Sequence, residues 1–126
     1  MIILAREQVE RLHEKLLEAT GGLNGIRDEA MLDSALSVAF QTFGGMDLYP
    51  STLAKIARTA YGLVHNHPFV DGNKRIGTYV MMVFLELNNI KVVFSDDDLI
   101  HIGLELANGK MSDKELLGLI LEHLGE

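Results

Sequence analysis

The chain has 126 residues, enough for one domain, and its 48% hydrophobic residues can fill a sizeable core. It has no cysteine, which excludes disulfides, thiolate nucleophiles and cysteine-bound zinc and suits a reducing compartment. The net charge of −7, from 11 basic and 18 acidic residues, leaves no extended basic face and argues against direct binding to nucleic acid.

The N-terminal apolar stretch before Arg6 is too short for a signal peptide, and no basic residues precede it. Val9, Leu12 and Leu16 recur at helical spacing, and Gly21-Gly22 ends that helix. Leu23 to Arg27 reads as a loop. Asp28 is placed to cap a second helix with Met31, Leu32, Ala35, Leu36 and Ala39 on its apolar face. Phe43 to Pro50, with Gly44-Gly45, reads as an irregular connection. Ser51 opens a third helix whose stripe is Leu53, Ile56, Ala57, Ala60, Leu63 and Val64. That helix should stop near Asn66, because Pro68 disfavours helical geometry in the residue before it.

A fourth helix starts within Gly72 to Arg75 and ends near Asn88-Asn89. It is apolar on most sides, so it is expected to be central and buried. The longest strongly apolar stretch, Tyr79 to Leu85, is far too short to span a bilayer, and a cytoplasmic protein without membrane contact is expected. Lys91 to Phe94 suits a short extended piece. Ser95 with Asp98, and Ser112 with Glu115, have capping-box spacing for two further helices, the first stopped by Asn108-Gly109 and the second ending near Leu124. The expected fold is all-α, a single domain over residues 1–126, with about six helices bundled around helix four.

The chemistry concentrates in His67-Pro68-Phe69-Val70-Asp71-Gly72-Asn73-Lys74-Arg75, a loop that feeds the start of helix four. Helix N-termini favour anions, a phosphate above all. His67 is a candidate general base, or else a structural histidine at a helix end. Asp71 is a candidate magnesium ligand, or the cap of helix four, and the two roles are compatible. Gly72 lets the backbone approach a phosphate, or serves as an ordinary turn residue. Asn73 can donate to a phosphate oxygen or bond within the loop. Lys74 and Arg75 can neutralise a transferred phosphoryl group. Two cations in a first turn oppose the helix dipole, which points to an anion bound there. Phe69 reads as a packing anchor. His65 and His67 are two apart and point apart on a helix, which disfavours zinc, while His13, His101 and His123 read as surface or helix-face residues. Met81-Met82 reads as core filling.

The run 67–75 resembles the signature of the Fic/Doc family, in which a histidine is followed by Phe, an acidic residue, a small residue, Asn and Arg at these spacings. The stretches from Gly21-Gly22 to Leu36 and from Phe43 to Pro50 are also similar to upstream segments of small Doc-type proteins. The resemblance implies a compact helical fold with this loop before its central helix. Adenylylating Fic enzymes have glycine after the asparagine and a second arginine three residues beyond the first; here those positions hold Lys74 and Thr78. A lysine fills the space an outer phosphate would take, and the missing arginine removes a bidentate clamp. The Asn-Lys-Arg form is similar to the death-on-curing (Doc) toxins.

That likeness implies a kinase that moves the γ-phosphate of ATP to a threonine of elongation factor Tu and arrests translation. His67 would be the base, Asp71 the Mg2+ ligand (Mn2+ fits the same oxygen donors), and Asn73, Lys74 and Arg75 the phosphate clamp, with Gly72 giving backbone room. Phe43 to Pro50 would hold the target peptide. The chain shows no match to the Ser/Thr-to-Glu inhibitory helix of many Fic proteins, so inhibition is expected in trans from a Phd-like antitoxin that binds the DNA itself. Two alternatives are a Fic-type AMP transferase acting on a protein hydroxyl and a catalytically silent interaction module. Lys74 and Thr78 count against the first, and the intact set of five polar residues against the second.

Overall fold

A computed structural model describes residues 1–125. Six helices carry the fold: α1 (Arg6–Thr20), α2 (Glu29–Ser37), α3 (Thr52–His65), α4 (Asn73–Leu87), α5 (Asp96–Ala107) and α6 (Asp113–Glu122). A 3-10 turn, Val38–Phe40, extends α2. The all-α bundle expected from the sequence is borne out.

Local chemistry starts most of these helices. The Asp28 side chain accepts from the Met31 N–H, and Ser51 Oγ from the Ala54 N–H. Ser95 with Asp98, and Ser112 with Glu115, form reciprocal capping boxes. Each cap contributes about 1 kcal/mol by satisfying an N–H that the helix itself leaves open. At the far end of α4, Asn88 donates to Phe84 O and exchanges bonds with the backbone of Ile2, tying the first residues to the helix end. Asn89 then takes a left-handed φ of 57° and stops the helix, which asparagine tolerates better than most residues.

The centre is shared by two helices. α3 buries Ile56, Ala57, Ala60, Leu63 and Val64, and packs against α2, α4, α5 and α6. α4 buries Ile76, Val80, Met81, Phe84 and Leu85 and packs against α1, α3 and α5. Their crossing is close at Gly77, where a Cβ would lie 2.4 Å from Val64 Cγ2 and 3.2 Å from Ala60 O. Ile102, Leu106, Leu116 and Ile120 bring α5 and α6 into the same core. No helix among the described residues is long and apolar enough to cross a membrane.

One segment differs from expectation. Residues 42–47 are not irregular but form a small antiparallel hairpin, β1 (Thr42–Phe43) with β2 (Met46–Asp47), paired Thr42 to Asp47 and Phe43 to Met46. Gly44 and Gly45 both have positive φ, 59° and 80°, as a two-residue hairpin turn of the mirror-image kind requires. The strands are too short for alternation to show, and neither face is buried: Phe43 is 80% exposed and Met46 75%. The extended piece after α4 does pair, in an isolated bridge between Val92 and Leu124.

Candidate active site

α3 ends at His65 with Asn66 as its C-cap, and the chain turns sharply at His67, whose φ of 51° is left-handed. The segment after α1 grips this turn. Arg27 donates from Nε to His67 O at 2.6 Å and from Nη2 to Asn66 O at 3.0 Å. The backbone N–H groups of Arg27 and Asp28 both donate to Pro68 O, and Val70 N–H donates to Gly25 O. Phe69 is buried as the expected anchor. Asn73, 4% exposed, holds both backbone polar groups of Phe69, accepting from its N–H and donating to its carbonyl, each at 3.0 Å. Of the two roles open to Asn73, its side chain takes the bond within the loop.

Asp71 follows with its side chain 46% exposed. Its carboxylate accepts from Leu23 N–H at 3.2 Å and Gly72 N–H at 2.9 Å, with Arg75 Nη2 3.9 Å away. The backbone bonds from Leu23 and Gly72 hold it below the usual carboxylate range, against the opposing effect of burial; Arg75 and His13 add to the lowering. Gly72 has φ 78° and ψ 17°. A side chain there would be strained, and its Cβ would meet Leu17 Cδ2 at 3.3 Å.

Asp71 does not take the capping role open to it: the N-cap of α4 is Gly72, and no side chain caps the helix. The N–H groups of Asn73, Lys74 and Arg75 therefore open the helix without an intrahelical partner, at the positive end of its dipole. Arg75 reaches back to the end of α1, donating to Thr20 Oγ1 and to Gly21 O at 3.3 Å. A guanidinium has five N–H donors, so this leaves capacity for an anion. Lys74 is exposed.

His67, Asp71, Gly72, Asn73, Lys74 and Arg75 all line one open groove of about 570 Å3, which Val64, His65 and Ala107 complete. Among the described residues no group of three or more His, Cys, Asp or Glu is placed to hold a metal ion. A cation at Asp71 would therefore share its coordination with ligand oxygens and water. One ionised, half-exposed carboxylate beside an uncapped helix start fits magnesium delivered with a polyphosphate.

The supports of this loop are what the sequence reading missed. His13, expected on a surface or helix face, is buried, hydrogen-bonded to Asp71 O and stacked on Phe69. Leu23, Gly25 and Arg27 were expected only as a loop, yet each bonds to residues 66–71. The one signal for His13 was its place on the Val9–Leu17 face of α1; nothing local marked the others. His65 lies on the groove and stacks on Tyr61.

A compact helical bundle that presents this His-to-Arg loop just before a central helix is the architecture the resemblance implied. The model of the Fic/DOC family matches residues 3–85. A 79-residue stretch is 35% identical to the protein named Toxin Doc of Mycolicibacterium smegmatis, covering 63% of this chain and 61% of that relative. The chain belongs to the Fic/DOC family.

Proposed function

We propose that this chain is a Doc-like toxin that transfers the γ-phosphate of ATP to a threonine hydroxyl of a protein, with elongation factor Tu as the target and translation arrest as the outcome. The observation that carries the reading is the uncapped start of α4, which opens three N–H groups, Lys74 and Arg75 onto the groove that also holds His67 and Asp71. Phosphoryl transfer depends mostly on positioning and charge stabilisation, and this arrangement supplies both. The α4 N–H groups, that of Asn73 included, would hold phosphate oxygens. Lys74 and Arg75 would meet the charge that develops on the transferred group. Asp71 would hold Mg2+, which would supply positive charge to offset that of the phosphates. His67 would accept the hydroxyl proton as the threonine oxygen bonds to the γ-phosphorus, the bond to the bridging oxygen breaks and ADP leaves.

Two features favour γ-phosphoryl over adenylyl transfer. Lys74 stands at the helix start where a glycine would leave room for outer phosphates. Thr78, where a second arginine would clamp them, directs its hydroxyl back to the carbonyls of Lys74 and Arg75. The exposed hairpin, with Phe43 and Met46 outward, is the segment that would hold the target peptide. A Phd-like antitoxin would inhibit in trans, in the cytoplasm. The whole chain would form a single Fic/Doc domain, since α5 and α6 share the core of the matched segment.

The test is intact-mass analysis of elongation factor Tu after incubation with the chain, ATP and Mg2+, beside a His67→Ala control. The expected gain is about 80 Da, absent in the control, whereas about 329 Da would mean AMP transfer instead. No gain would remove elongation factor Tu as the target.

A further inference from the structure

We propose that His13 is a positioning residue that locks the Asp71–Gly72 peptide plane and so sets how Asp71 presents its carboxylate to a metal–nucleotide ligand. The ligand's identity rests on the function proposed above; the locking itself does not.

His13 sits between Val9 and Leu17 on the buried face of α1, a place where helical periodicity favours an apolar side chain. It is 1% exposed. An imidazole in that position is costly unless its polar atoms are bonded. Its Nε2 lies 2.7 Å from Asp71 O. A carbonyl oxygen only accepts, so Nε2 carries the proton and donates. The ring lies flat against Phe69, with centroids 3.8 Å apart and planes 11° from parallel, which fixes the direction of that N–H.

The bonded oxygen belongs to the peptide unit that joins Asp71 to Gly72. The N–H at the other edge of the same unit donates to the Asp71 carboxylate at 2.9 Å. A peptide unit is rigid, so the two bonds stand or fall together. Glycine on its far side offers no Cβ to resist a flip of the plane. His13 is the group that opposes the flip from the protein interior. With the plane turned, the carboxylate would lose its Gly72 bond and be left on Leu23 N–H as its one remaining backbone donor, freer to turn at the groove. Partners behind a metal-binding carboxylate characteristically act this way.

The experiment compares His13→Gln with His13→Met. The two side chains are similar in length and shape, and only glutamine can donate to Asp71 O. Two quantities are read: amide hydrogen exchange at Gly72 and Leu23 in the ligand-free protein, and the affinity for Mn2+–ATP measured by Mn2+ spin resonance. His13→Met is expected to speed exchange at both amides and weaken Mn2+–ATP by about tenfold or more, with α3 amides unchanged. His13→Gln is expected to keep most of both.

A folded His13→Met protein with wild-type exchange and affinity would overturn the proposal. So would an Nδ1–H tautomer of His13 in the 15N spectrum of the wild-type protein, a readout that needs no variant. If the wild-type protein fails to hold Mn2+–ATP, the nucleotide reading of the groove fails. The exchange comparison then decides the role of His13 alone.

Discussion

His67 occupies a conformation that its side chain disfavours. At φ 51° its Cβ crowds the backbone, at a cost on the order of 1 kcal/mol that glycine avoids. Arg27 holds the carbonyls of Asn66 and His67 and keeps the turn in place regardless. His67→Gly is therefore expected to match or exceed wild-type stability, by up to about 1 kcal/mol in urea titration, and, on the proposed reading, to lose phosphoryl transfer. A clear loss of stability would show that the imidazole itself supports the fold. That these residues share one groove was legible because they are contiguous: a histidine, an aspartate and two cations within nine positions mark a candidate site without any knowledge of the fold. The grip of Asn73 on Phe69 was legible only as one of two options, since choosing between them requires the loop's path.

At the scale of elements, the caps made most helix boundaries readable. Asp28, Ser51, Ser95 and Ser112 each bond the backbone N–H three residues on. The cap of α5 also carries a pH dependence. Asp98 is held below its ordinary value of 3.8, chiefly by the Ser95 backbone N–H and against burial, with the Ser95 hydroxyl, His123 and His101 adding to the lowering. A depressed carboxylate stabilises the fold above its unfolded-state value and loses that contribution as pH falls through the folded one. The melting temperature of the wild type should therefore exceed that of Asp98→Asn above about pH 5, and the margin should shrink as acid protonates the group. A margin independent of pH would remove the charge from the explanation. The hairpin was missed for the opposite reason. Two-residue strands with outward side chains give no periodicity, and Gly44-Gly45 was the only local clue.

On the scale of the whole molecule, the crossing of α3 and α4 sets where the loop between them emerges. Gly77→Ala would push a methyl into Val64 and the Ala60 carbonyl, and overpacking of this kind costs about 1–3 kcal/mol. The loss should appear in urea titration, and Val64→Ala in the same chain should recover part of it. Stability unchanged in the single variant would mean that the helices separate freely. Long-range supports such as His13 on Asp71 and Leu23 on Asp71 span 58 and 48 residues, distances over which no local pattern speaks.

The uncapped start of α4 has one more consequence. A helix with no cap of its own and two cations in its first turn would borrow its missing acceptor from an anion bound there. The folding equilibrium would then be linked to the concentration of that anion. At a hundredfold excess over its dissociation constant, the ligand adds about 2.7 kcal/mol to the stability of the folded chain. On the proposed reading that ligand is ATP, so the chain would be harder to degrade in a well-fed cell than in a starved one.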